Sequence, residues 1–324
     1  MAATTLSNAI VPEVFTPYTI QRTTELSAFW TSGIVGTVPG VDLGDANSQQ
    51  GGKTVQMPFW QDLTGADQIL STGTNLTVAN IAASKDVAVL NARANVYGAK
   101  DLVAPLAGSD PMAAIGDLMA GKWVRDMQTV LIATLNGAMG ALAAESTPKN
   151  IFDISGLSGA AAVADAEAII DAVGMLGDAE GKLTAVAIHS NTYRLYKKQN
   201  LIDYEKASDG SEIAYYMGKR VIVDDGMPVS SGTYTDYFFG AGAIGYSEGT
   251  PKVPSEVERN ALVGGGEEYL VSRRHYVLHP RGIKWKGTPS LDTPSNAELG
   301  TVGNWERVFD PKNIRIVAFK HKNA

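Results

Sequence analysis

The chain has 324 residues, 44% hydrophobic and 19% charged, with a formal net charge of −7. That is enough apolar residue for a sizeable core in one or two domains, and the acidic balance argues against a protein that grips phosphate backbones, which needs clustered Lys and Arg. The absence of cysteine excludes disulfides, thiolate metal sites and cysteine nucleophiles.

His189, His275, His279 and His321 make no metal-ligand spacing. No apolar run approaches the ~20 residues of a membrane span. The start, MAATTLSNAIVPEVF, lacks the basic-then-apolar order of a secretory signal, so a cytoplasm-like compartment is expected. Residues 1–50 show no sustained period. Pro12, Pro17 and Pro39 punctuate them, Thr19–Phe29 can hold a short helix, and Phe15, Tyr18, Phe29 and Trp30 need a surface to cover them. An arm folded back on its own domain and an arm lying across a neighbouring subunit both fit.

Period-two alternation begins at KTVQMPFWQDL (residues 53–63), where Val55, Met57 and Phe59 share one face and Pro58 marks an edge or irregular strand. It returns at KDVAVLNARANVY (residues 85–97), with Ala88, Leu90, Ala92, Ala94 and Val96 on one face. A Gly/Thr/Asn-rich tip lies between them. The pair reads as an extended hairpin reaching roughly 37 Å at ~3.4 Å per residue. A compact chain of this length has a radius of gyration of only about 20 Å, so such a hairpin must wrap the body or project from it. A projecting hairpin exposes backbone donors and acceptors that a partner must cover.

Ser109-Asp110-Pro111 is a strong helix start. Met112, Ile115, Met119, Trp123, Met127, Val130, Leu131 and Leu135 recur at helical steps to about Ala143. The result is a helix of roughly 50 Å, which Gly121 or Gly137 could interrupt. Ser158 is expected to cap a second helix with Val163, Ala166, Ile170 and Val173 on one face. The strand Leu183–Ile188 then leads into His189-Ser190-Asn191, where Ser190 or Asn191 can cap the helix TYRLYKK. A polar connection with Asp209-Gly210 follows, then the strand KRVIV and a turn at Asp224-Asp225-Gly226-Met227-Pro228. Further strands are expected at Thr233–Phe239, Glu268–His279 and Asn313–Phe319, with a flexible break at Gly264-Gly265-Gly266.

Residues 187–228, ordered IHS, Y, L, K, NLI, Y, GK, VIVDD, MP, resemble the major capsid proteins of tailed bacteriophages with the Hong Kong 97-type fold. The resemblance returns in LHPRGIKWKG (residues 278–287) and NWERVFDPKNIRIVAFKHK (residues 304–322). It implies an α+β chain with an N-terminal arm (1–50), an extended hairpin loop or E-loop (51–100), a peripheral domain with a long spine helix (101–150), an axial domain (151–265), and a return to the peripheral domain with a C-terminal strand (266–324). It implies a shell-building subunit that is not an enzyme and holds no cofactor or metal. Placing segments on that fold puts subunit contacts at Phe15 and Tyr18 on the arm, at Met57, Phe59, Trp60, Ile69, Leu70 and Lys85 on the hairpin, and at Arg281, Lys284 and Trp285 near the C-terminus. The implied partners are copies of the chain in hexamers and pentamers, a portal protein, a separate scaffolding protein, a decoration protein outside, and packaged double-stranded DNA nearby without specific binding. No membrane is involved. Because arm and hairpin begin so early, no room is left for a removable scaffolding segment. One branch of that family joins a loop lysine to a neighbour's asparagine; nothing here marks such a set, and noncovalent assembly is expected.

Other motifs favour plainer readings. Gly240-Ala241-Gly242-Ala243-Ile244-Gly245 fits the dinucleotide pattern, but Pro251 and Pro254 forbid the helix that must hold the pyrophosphate. Gly52-Lys53-Thr54 lacks the first glycine of a phosphate loop, having Asn47 there, and precedes a strand. His189-Ser190 are adjacent on an extended segment and point apart. Asp224-Asp225-Gly226 lacks the spaced oxygens of a calcium loop. A nucleotide-binding α/β enzyme is the first alternative reading, and a tail or decoration subunit the second.

Overall fold

The computed structural model describes residues 29, 33–37, 53–70, 75–107, 110–147, 149–206, 212–249, 251–263 and 265–323. Phe15, Tyr18, the proposed short helix up to residue 28, and Asp209-Gly210 lie outside the described residues. The N-terminal half holds β1 (Val35–Thr37), β2 (Thr54–Trp60), β3 (Ala83–Val89), β4 (Asn91–Lys100), α1 (Val103–Ala107), α2 (Pro111–Ala143), β5 (Ile151–Asp153) and α3 (Ala166–Gly174). Next come β6 (Leu183–Ile188), α4 (Ser190–Lys198), β7 (Asp203–Lys206), β8 (Glu212–Tyr216), β9 (Lys219–Val223), β10 (Val229–Ser230), β11 (Thr233–Gly240) and β12 (Ile244–Gly249). The chain ends with β13 (Ser255–Asn260), β14 (Glu267–Pro280), β15 (Ile283–Trp285), α5 (Asn296–Leu299), β16 (Trp305–Arg307) and β17 (Ile316–Lys322).

Helix α2 is the axis of the molecule. Asp110 accepts the Met112 N–H at 2.9 Å, and Pro111 needs no donor at the first helical position. Neither Gly121 nor Gly137 interrupts it. A Cβ on Gly137 would lie 2.0 Å from the Leu299 carbonyl oxygen and 2.6 Å from Trp305 Nε1, so glycine there lets α5 and β16 press onto the helix. The buried residues of α2 begin at Trp123, and the first turns are only partly covered.

The larger sheet runs β5-β17-β11-β6-β9-β8-β7, with β10 beside β11. Its central strands are apolar on both faces, and alternation decides what each residue meets. Ala185, Ala187, Tyr237, Phe239, Ile316 and Ala318 face the core shared with α2. Val186, Ile188, Phe238, Val317 and Phe319 face a second core under α3 and α4. The smaller sheet runs β1-β12-β14-β13, and β4 pairs with the first part of β14. Phe29 is fully buried and meets Phe239 edge-on at 6.1 Å, so this part of the N-terminal segment does pack on its own chain.

Several expectations change. The run 85–97 is not one strand: it passes at Leu90 from the β2–β3 hairpin into β4, which belongs to the smaller sheet. Ser158 makes no cap bond; only a short turn follows it, Val163 is extended, and α3 is capped by Asp165, which accepts the Ala168 N–H at 2.8 Å. The helix therefore buries Ile169, Ala172 and Val173 and exposes Ile170. Helix α4 is capped by neither Ser190 nor Asn191 but by His189, whose Nδ1 accepts the Asn191 N–H at 3.0 Å. The polar connection after α4 contains β7, whose residues are all exposed, and β8, which is half-buried at Ile213 and buries Tyr216. The last strand starts at Ile316, because Pro311–Asn313 form a turn capped by Asp310.

Candidate assembly surface

Strands β2 and β3 form a two-stranded ribbon of their own, with Thr54 opposite Val89 and Trp60 opposite Ala83. Its root rests on the body. Ala88 is buried against Val277, with Val55, Met57 and Leu90 around them. Phe59 meets Phe309 edge-on at 4.7 Å. Lys53 reaches Asp292 at 3.3 Å.

Beyond Trp60 the ribbon loses this support. Trp60 is 69% exposed, Leu63 77%, Ile69 91%, Leu70 81% and Val78 86%. Among the described residues of the tip, the Gln68 side-chain amide donates to the Thr77 carbonyl and accepts the Thr77 N–H, both at 2.7 Å. Monomeric proteins rarely leave so many large apolar side chains together in water. Covering any one of them gains about 1.5–3 kcal/mol.

The expected contact residues divide into groups. Trp60, Ile69 and Leu70 are bare on the tip, while Met57 and Phe59 are half-buried on the root. Lys85 donates to Gln56 across the ribbon at 3.3 Å. Arg281 is exposed, and Lys284 pairs with Glu306 at 3.0 Å. Trp285 has no surface to offer a neighbour: it is 3% exposed and packs edge-on against Trp305 at 5.1 Å inside its own core. Leu63, Leu76 and Val78 join the exposed set; their signal was apolar residues spaced through a polar tip. A second exposed apolar point, Leu262 with Leu102, stands at the far end of the smaller sheet, where Arg259 bridges Asp101 and Glu268.

The motifs that suggest chemistry are occupied structurally. GAGAIG turns β11 into another strand, β12, with Gly242 at φ 63°. Asp224 accepts the Gly226 N–H with one oxygen and the Gln128 amide with the other, closing its turn against α2. Lys53 enters a strand. No group of three or more His, Asp or Glu that could hold a metal occurs among the described residues. Sequence reading missed two buried polar groups. His321, Asp236 and Tyr196 meet inside the larger sheet, and His279 lies against Asp86 under the ribbon.

A long helix crossed by two sheets, with an apolar ribbon projecting from the smaller one, is the architecture of a Hong Kong 97-type phage coat subunit. Solved capsids confirm the fold. The cyanophage Pam1 capsid subunit aligns with a TM-score of 0.61 at 10% identity, over 97% of this chain and 96% of that one. The bacteriophage PhiM1 mature capsid subunit aligns with 0.59 at 13%, over 97% and 93%, and Mycobacterium phage Che8 with 0.57 at 14%, over 96% and 97%. The family follows from sequence. The model of the Gp13-like family, major capsid protein 13-like, matches residues 50–314. The chain is also 46% identical over 329 residues to the major capsid protein of Bacillus phage SPP1, covering 99% of each. The chain belongs to this major capsid protein family and is a structural protein, not an enzyme.

Proposed function

We propose that the ribbon tip is the main contact between copies, and that Trp60, Leu63, Ile69, Leu70, Leu76 and Val78 lie on an adjacent subunit. The observation that carries this reading is the bareness of the tip beside a root that is packed. Copies close into the hexamers and pentamers of an icosahedral head around double-stranded DNA. Each contact can be modest, because several linked contacts per subunit add through avidity, and closed symmetry brings the same patches together repeatedly. Arg281, Lys284 and the arm residues Phe15 and Tyr18 supply further contacts. A portal protein, a separate scaffolding protein and an outer decoration protein complete the particle, which assembles in the host cytoplasm. The net charge of −7 keeps the wall from gripping the packaged DNA.

The test is the double substitution Ile69→Asp with Leu70→Asp, followed by sedimentation and negative-stain microscopy. Wild-type chain forms capsomers or shells. The variant keeps its circular dichroism and melting temperature and stays small. Shells from the variant in wild-type yield would refute the tip as the contact.

A further inference from the structure

The root of the ribbon is tied to the body by buried polar groups as well as by its apolar cluster. The turn Arg281-Gly282 holds both of its strands. Gly282 donates its N–H to Asp86 Oδ2 of β3 at 2.9 Å. Its carbonyl accepts the N–H groups of Val308 at 2.9 Å and Phe309 at 3.2 Å. The Phe309 ring in turn packs on Phe59 of β2. Only glycine fits this turn: φ is 89°, and a Cβ would lie 2.7 Å from the Phe309 ring. His279, at the end of β14, brings Nε2 to 2.9 Å from Asp86 Oδ1 and stacks on Trp305 at 6.3 Å. Asp86 is 4% exposed and His279 1%.

A buried carboxylate is an expensive way to hold a strand that apolar residues could hold. Its return is direction, since a charged acceptor with fixed donors tolerates little change of angle. The small apolar cluster at the root has no such preference. We propose that Asp86 and His279, with the Gly282 turn, are a positioning clamp that sets the angle between ribbon and body, and so aims the tip at its neighbour. The second half of this statement rests on the assembly reading above; the clamp itself does not.

The clamp has a pH signature. Burial pushes the Asp86 carboxyl up, but His279 and the N–H groups of Gly282 and Val87 outweigh it and hold the carboxyl below its ordinary value. The clamp is then complete above the ordinary aspartate range and is lost as pH falls through the lowered value. The other charges nearby are engaged elsewhere or exposed. Lys85 bonds Gln56, Lys284 pairs with Glu306, Arg307 pairs with Glu145, and Arg281 is exposed. Met57, opposite Asp86 on β2, carries no charge.

The chain has no cysteine, so two can be introduced for spin labels without background. Asp67→Cys marks the tip and Glu167→Cys marks α3. Distance distributions are measured on the full-length chain at concentrations below assembly. The wild-type background gives a narrow distribution at neutral pH that broadens in acid, before circular dichroism changes. Asp86→Ala and His279→Gln give a broad distribution already at neutral pH with helix content unchanged. Asp86→Asn keeps an acceptor for Gly282 but cannot titrate, so its distribution loses the acid response. A narrow distribution in Asp86→Ala, or an acid response surviving in Asp86→Asn, would overturn the clamp. Should Asp86→Ala not fold, Asp86→Asn and the wild-type acid titration decide. A chain that never assembles, yet whose label distances respond as described, would refute the assembly reading and leave the clamp standing.

Discussion

His321 shows what a single buried group does here. It is 0% exposed, as is Asp236, and Nε2 lies 3.1 Å from Asp236 Oδ2. Tyr196 donates its hydroxyl to that same oxygen at 2.7 Å. Burial pushes the imidazole down, but Asp236 and the Lys322 carbonyl outweigh it and raise it above its ordinary value. The group therefore contributes stability that is fully present below the ordinary histidine range and lost as pH rises through the raised value. Removing one partner of a buried pair costs about 3–5 kcal/mol, because the other charge stays behind. His321→Gln should lower unfolding free energy by about that much at pH 6, measured by urea denaturation. The gap should narrow as the same comparison is moved to alkaline pH. A constant gap would show that the pair is not charged in the folded chain. Neither this cluster nor Asp86–His279 was legible in sequence: His321 is separated from Asp236 by most of the C-terminal third, and lone histidines at strand ends carry no spacing signal.

At the scale of elements, α2 separates two uses of glycine. Gly116 has nothing within 4 Å of a would-be Cβ, and it sits on the partly covered first turns. Gly116→Ala should stabilise by about 1 kcal/mol through helix propensity alone. Gly137→Ala should destabilise by about 1–3 kcal/mol, because the added carbon meets the Leu299 carbonyl and forces α5 and β16 away. Thermal melts of the two variants should move in opposite directions. Equal shifts would mean that the packing of Trp305 onto the helix is looser than its contacts indicate. The helix itself was legible almost to the residue, since Asp110-Pro111 starts it and apolar steps of three and four sustain it. The caps of α3 and α4 were not. Ser158, Ser190 and Asn191 are good caps in general, but Asp165 and His189 hold the positions where the backbone turns from extended to helical.

The whole molecule buries part of its apolar surface in its own cores and leaves part of it exposed. Two cores lie on opposite faces of the larger sheet, and the tip of the ribbon belongs to neither. Trp60 and Ala83 are direct partners, so an Asn-Gly turn can join them in place of residues 61–82. The shortened chain should melt within about 3 °C of wild type, because a change of 1 kcal/mol moves a domain of this size by only ~2–4 °C. Its sedimentation should show small species only. A large loss of melting temperature would mean that the tip supports its own fold rather than a neighbour's.

The linear chain decided the elements whose reason is local. The spine helix follows from its Asp110-Pro111 start and apolar steps, the strands on either side of α4 from their apolar runs, and the edge character at Pro58 from a missing donor. The family was also legible there, through the resemblance of residues 187–228, 278–287 and 304–322 to the coat proteins of tailed phages. Partnership needed the tertiary structure. Alternation from Lys85 to Tyr97 is unbroken in sequence, and only pairing with β14 separates β4 from the ribbon at Leu90. Trp285 and Trp60 are chemically alike, yet one lies under Trp305 and the other stands in water. The physical reason is the same in both cases: period and side-chain type say which face is apolar, and only the packing of distant segments says whether anything in the same chain remains to cover it.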